Sequence, residues 1–263
     1  MKAIYFLPLL VSAVILVVLS IPVAASKMDD SIESSAKNSY VFKTYLKDDT
    51  VKAQSKDGVV TLTGSVSEES HKALAEETVA NLPEVKRVDN QLEVKGEHPS
   101  EMSDAWLLTK VKTTLLFHRS VSATTEVAVK DGIVTLRGAA DNQAQKELTT
   151  EYAKDVDGVK DVNNEMTLAK TPAKTLEKTT AKISEKTRTI GDKIDDASIT
   201  ALVKMTLLYH RSTSGIKTSV TTKNGVVALT GIASNQAQID LARKLASDVK
   251  GVQKVDNRMI IEK

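Results

Sequence analysis

One short pattern occurs three times and sets the architecture before composition is considered. Asp57-Gly-Val-Val-Thr-Leu-Thr-Gly64 recurs as Asp131-Gly-Ile-Val-Thr-Leu-Arg-Gly138 and as Asn224-Gly-Val-Val-Ala-Leu-Thr-Gly231, at offsets of 74 and 93 residues. Downstream of each copy stands the same apolar series: Val85, Val88, Leu92, Val94; Val159, Val162, Met166, Leu168; Val252, Val255, Met259, Ile261. By length alone, 263 residues would suit one or two ordinary domains. The shared register makes the chain a tandem array of three small units, each of about 60 to 70 residues.

Each unit is legible from local chemistry. Asp-Gly or Asn-Gly between two apolar-polar alternating runs predicts a hairpin, because a type I′ turn needs positive φ at both central residues; Gly58, Gly132 and Gly225 are the turn glycines. Gly64, Gly138 and Gly231 close the second strand and read as tight strand-to-helix turns, since no Gly-rich loop or Lys-Ser/Thr pair accompanies them as a phosphate cradle would require. Ser67, Asp141 and Ser234 follow as expected N-caps of a second helix, and Asp104 as the N-cap of the first helix of unit two. The predicted fold class is α+β. It comprises three tandem α-β-β-α-β sandwich domains, each a three-stranded mixed sheet covered on one face by two helices, the last strand joined by a right-handed crossover. The expected boundaries are 39–96, 104–168 and 196–262, with a Lys/Thr-rich linker at 169–195.

Upstream, Ala3 to Ser26 carries no charge and ends in Val23-Ala24-Ala25, small residues suited to signal-peptidase cleavage. Residues 1–25 therefore read as a secretory signal peptide, with an uncleaved membrane anchor as the alternative. Either places the rest outside the cytoplasm, and the absence of Cys fits a periplasm in which packing alone supplies stability. Without Cys there is no disulfide framework, no thiolate zinc site and no thiol nucleophile.

The hairpin, its closing Gly and the terminal strand with Asn90, Asn164 or Asn257 together resemble the BON domain of bacterial envelope proteins. The likeness spans approximately Ser39 to Gly96, Asp104 to Leu168 and Asp196 to Glu262, and resembles the osmotically inducible periplasmic members, which carry two such domains. It implies an α/β sandwich, an envelope location, binding to phospholipid or other envelope surfaces, and no enzymatic activity. Three units instead of two, no lipobox Cys, and the lack of a His-Arg pair in unit one are departures.

Candidate chemistry is sparse. His118-Arg119 and His210-Arg211 end the first helices of units two and three; they suit a lipid phosphate, or alternatively complement a helix C-terminus. Trp106 beside Lys110 and Lys112 suits a membrane boundary, or packs between units. Trp106, Lys110, Lys112, Arg119, Lys204 and Arg211 are thus the candidate lipid-binding residues. His71 and His98 read as solvated, the four histidines as no metal site, and the carboxylate pairs as solvated charges. No nucleophile elbow occurs, so no catalytic residue, metal or cofactor is expected. In the linker, Lys170, Lys174, Lys178, Lys182 and Lys186 recur every fourth residue beside Leu176, Ile183 and Ile190, which fits a membrane-surface helix or a solvated spacer.

The near-balance of 36 basic and 34 acidic residues argues against a nucleic-acid binder. It conceals an asymmetry: residues 26–168 sum to −7 and residues 169–263 to +8. The expected partner is an anionic phospholipid surface met by the C-terminal third. Unfolded or envelope proteins, met by a chaperone-like module, are the alternative.

Overall fold

The computed structural model describes residues 22–96, 99–169 and 194–262, with side chains from Ser26 onward. The first 21 residues of the expected signal, His98, and the linker lysines from Lys170 to Lys186 lie outside the described residues.

Three copies of one sandwich are observed. Unit one runs α1 (Pro22–Asn38), α2 (Tyr40–Thr44), β1 (Thr50–Lys56), β2 (Val59–Val66), α3 (Glu69–Ala80) and β3 (Arg87–Val94). Unit two runs α4 (Asp104–Phe117), β4 (Glu126–Lys130), β5 (Ile133–Arg137), β6 (Ala139–Ala140), α5 (Gln143–Lys154), β7 (Asp161–Asn164) and β8 (Thr167–Leu168). Unit three runs α6 (Asp196–Tyr209), α7 (Arg211–Ser214), β9 (Lys217–Lys223), β10 (Val226–Ala233), α8 (Gln236–Asp248), β11 (Lys254–Asn257) and β12 (Ile260–Ile261). In each, the second hairpin strand is central, antiparallel to the first and parallel to the last. Alternate residues of the central strand enter the core: Val60 and Leu62, Val134 and Leu136, Val227 and Leu229 are all fully buried.

Repeated polar devices lock this geometry. The turn pairs Asp57-Gly58, Asp131-Gly132 and Asn224-Gly225 all have positive φ, and a carboxylate from the first helix accepts both of their amides. That carboxylate is Asp29, Asp104 or Asp196. Asp104 is therefore not the N-cap; Ser103 caps α4 through Trp106 N, which frees Asp104 to reach the turn. Asn90, Asn164 and Asn257 each donate to a carbonyl of the second helix, at Lys72, Lys146 or Ile239, while their Oδ1 accepts from the amide two residues on. Each pins the last strand to the helix above it.

Three details differ from expectation. Gly64 and Gly231 lie inside β2 and β10, and Gly138 sits between β5 and β6. A Cβ at any of them would strike the carbonyl of Thr50, Lys217 or Thr124, so close strand approach at positive φ, not a turn, demands glycine. The second-helix caps fall one residue later, at Asn142 and Asn235, which accept from Gln145 N and Gln238 N; Glu68 in unit one makes no side-chain cap. The glutamines reach back to Asp141 N and Ser234 N. Finally, the helix covering the first sheet begins upstream of Ser39. Met28, Ile32 and Ala36 of α1 line its packing ridge, a stripe too thin in large apolar residues to stand out by periodicity, and Ser39 instead caps α2.

The units are not beads on a string. Helix α6 is buried on nearly all sides, as an all-round apolar helix must be, and it touches α3 of unit one and α4 of unit two as well as its own α8 and β9. Asp195 and Ser198 accept from the amides of Tyr40 and Val41 at 2.7 and 3.1 Å, so unit three satisfies the first amides of α2. One continuous core runs through units one and three and includes Phe117 of unit two, whose remaining core is separate.

Candidate functional site

The two His-Arg-Ser segments meet each other. His118 Nε2 and His210 Nε2 lie 3.1 Å apart, and both side chains are fully buried. Each follows the end of its unit's first helix and reaches the end of the other unit's second helix. His118 pairs in a single antiparallel bridge with Val249, and His210 with Val156. Arg119 N donates to Asp248 O at 2.9 Å, and Arg211 N to Asp155 O at 2.6 Å. The contact is a pseudo-two-fold exchange in which one surface is used twice.

Two aspartates anchor it. His210 Nδ1 lies 3.1 Å from Asp155 Oδ2, whose other oxygen accepts from Ser212. His118 Nδ1 stands 3.2 Å from Asp248 Oδ2 but without hydrogen-bonding alignment. Asp248 also accepts from Ser120 and from Tyr152 Oη at 3.0 Å. Tyr152 stacks on His118 with centroids 3.9 Å apart and planes 13° from parallel. At the Nε2–Nε2 contact one ring donates and the other accepts, and the Asp155 carboxylate can only accept from His210 Nδ1. Among the described residues no group of three or more His, Cys, Asp or Glu is placed to hold a metal ion.

Burial lowers the His118 pKa from its ordinary 6.5, with the charges of His210 and Lys250 adding to it and the neighbouring Asp248 opposing it. Burial raises Asp248, but His118, Ser120 and Tyr152 outweigh it and hold the carboxyl below its ordinary value; Asp155 behaves likewise through His210 and Ser212. The unfolded chain therefore takes up a proton on His118 that the folded chain refuses. Stability is complete above pH 6.5 and declines as pH falls below it. The expected melting temperature is level above neutrality and falls on acidification through that value. The double variant His118→Phe/His210→Phe should flatten this slope; an unchanged slope would remove the pair as its source.

The expected lipid-binding residues are mostly spent inside the protein. Arg119 donates to the carbonyls of Ser247 and Val252 and lies 3.6 Å from Asp248, so it complements a helix C-terminus, but that of the neighbouring unit. Arg211 donates to Lys154 O at 3.2 Å. Lys204 pairs with Glu77 of unit one at 2.8 Å. Lys110 sits 4.3 Å from the Trp106 ring centroid and 5.9 Å from that of Tyr209, with Asp157 at 3.8 Å; desolvation lowers its pKa. Only Lys112 projects freely, beside a groove shared with His71. His71 is itself bound to Asp49 and Ser67, not solvated.

Asp155, Asp248 and Tyr152 escaped sequence reasoning. A signal existed: Asp155-Val-Asp-Gly-Val159 and Asp248-Val-Lys-Gly-Val252 occur in the two units that carry His-Arg-Ser, whereas unit one has Asn81-Leu-Pro-Glu-Val85.

The BON domain profile matches residues 28–96, 103–170 and 195–263. The chain belongs to the BON-domain family. Its matched first domain includes the Asp29 clamp that the Ser39 boundary omitted. Osmotically-inducible protein Y of Escherichia coli (strain K12) is 29% identical over 200 residues, covering 75% of this chain and 90% of that protein. An uncharacterized protein from the gshII 5′ region of Anaplasma centrale is 28% identical over 154 residues, covering 59% of this chain and 91% of that protein. CdsD, a structural protein of the type III secretion system of Chlamydia trachomatis, aligns over 90% of this chain and 92% of that chain at 16% identity; its TM-score of 0.22 is too low to carry an argument. Among the described residues no helix of this BON-domain protein is long and apolar enough to cross a membrane.

Proposed function

We propose that this protein is a non-enzymatic, periplasmic envelope-stress protein that associates with anionic phospholipid surfaces. The reading rests on three BON domains that together cover most of the chain, with an osmotically inducible relative that matches 75% of it. The uncharged N-terminal segment and the absence of Cys support export. The basic C-terminal third supplies the attraction to an anionic headgroup layer. Flotation with vesicles that contain phosphatidylglycerol or cardiolipin should carry the protein upward, and pure phosphatidylcholine vesicles should not. Equal lack of binding to all of them would remove the phospholipid reading.

A second reading, a protein-binding module or chaperone, draws support from a groove of about 440 Å³ lined by Leu148, Tyr152, Leu241 and Leu245. Unfolded envelope proteins kept from aggregating at near-stoichiometric ratios, without vesicle binding, would favour it over the first.

A further inference from the structure

We infer that the open face of the third sheet is the surface that rests on the anionic bilayer, an assignment that builds on the phospholipid reading. The central strand β10 points Val227, Leu229 and Ala233 into the core and Val226, Ala228, Thr230 and Ile232 outward. Register then decides what flanks the outward residues. Val226 lies between Lys223 of β9 and Lys254 of β11, and Ile232 lies between Lys217 of β9 and Ile260 of β12. Val226, Ile232 and Ile260 are 38%, 42% and 63% exposed, unusual for large aliphatic side chains on a sheet without a covering layer. The three lysine side chains are exposed and form no hydrogen bond or ion pair among the described residues. Alternation puts two acids on this face: Asp256, which is occupied by Arg258, and the exposed Glu262 beyond Ile260 at the end of β12. The result is a strip about 20 Å long from Val226 to Ile232, aliphatic at both ends and interrupted by Thr230, bordered by ammonium groups that make no ion pair among the described residues.

The other two sheets offer an internal comparison, because the same register produces different faces. In unit two, Ile133 stands between Lys130 and Asp161, and Arg137 stands opposite Glu126 and pairs with Glu165, so the charges cancel. In unit one, Lys56 and Arg87 flank Val59, but Thr61, Thr63 and Ser65 continue the strand and leave no apolar strip. Among the described sheets only the third combines uncompensated cations with exposed aliphatics. That combination suits the boundary of an anionic bilayer, where lysine stems lie along the apolar layer with their ammonium groups among the phosphates and the aliphatic tips enter between headgroups. A soluble acidic polymer would neutralise the lysines but leave Ile232 and Ile260 in water.

The test compares vesicle binding of the purified protein with that of two matched charge reversals. Lys217→Glu/Lys223→Glu/Lys254→Glu alters the third face; Lys52→Glu/Lys56→Glu/Arg87→Glu makes the same change of charge on the first. Wild type should float with phosphatidylglycerol vesicles, the third-face variant should bind at least about tenfold more weakly, and the first-face variant should stay within about twofold of wild type. Ile260→Asp, a single change at an exposed position, repeats the test on the apolar element and covers the case of a misfolded triple variant. Undiminished binding by a folded third-face variant, or equal losses in both triple variants, would overturn the assignment. Wild-type protein that binds no vesicles would remove the phospholipid reading itself, and this assignment with it.

Discussion

Phe117→Ala should cost about 3 to 5 kcal/mol, the usual cost of truncating a fully buried aromatic ring. Phe117 ends α4 of the second BON domain yet is buried in the shared core of the first and third, edge-on to Tyr45 with centroids 5.5 Å apart and planes at 88°. The void would open where all three domains meet, and no single domain can collapse to fill it. Thermal unfolding followed by circular dichroism should therefore show a large drop in midpoint. The second domain, whose own core is separate, should begin to unfold independently of the continuous first-and-third core. A loss below about 1 kcal/mol, within the range of ordinary surface changes and slightly beyond, would show that the ring does not fill that junction.

Asp248→Ala should have a comparable effect by a different route. Its carboxylate accepts from Ser120 and Tyr152, lies beside Arg119 and faces the fully buried His118. Removing the carboxylate leaves Ser120, Tyr152 and His118 without that partner, at about 1 to 3 kcal/mol for each buried polar group left unsatisfied. Hydrogen exchange should rise at residues 117–121 and 245–252 while the β9–β10 hairpin keeps its protection. Asp248→Asn, which keeps the shape and one acceptor, should fall between the two. Protection unchanged in both junction segments of the alanine variant would mean that the latch does not hold the second and third domains together.

These junctions explain which parts of the protein were legible beforehand. The hairpins were, because Asp-Gly and Asn-Gly encode a backbone conformation that depends on nothing outside the turn. A third strand joined by a helical crossover is also legible, but which hairpin strand it joins is not; in the fold the second strand is central in all three sheets. The role of Gly231 was misread as a turn because its constraint comes from the Lys217 carbonyl on the neighbouring strand, fourteen residues away. The first helix of unit one lies upstream of the expected boundary at Ser39, because its ridge of Met28, Ile32 and Ala36 carries few large apolar residues and is recognisable only once β1 lies beneath it.

The candidate site shows the same division more sharply. His118-Arg119 and His210-Arg211 stand out as repeated pairs at helix ends, suited to a lipid phosphate or to complementing a helix C-terminus. In the folded protein both imidazoles are fully buried, because each helix end is covered by the other domain. Lys204 likewise changed from a candidate headgroup ligand to the partner of Glu77 across another domain contact.

Local sequence by itself determined three sandwiches, since turns, alternation and helix stripes act over a few residues and each repeat carries its own complete set. Tertiary structure alone decided how the sandwiches share a core, why the two histidines face each other, and which sheet is left both apolar and basic. The first two outcomes depend on pairings between residues 92 to 157 positions apart, and no local propensity encodes which buried surface will find which partner; the third depends on strand register and on which faces the domain contacts leave open.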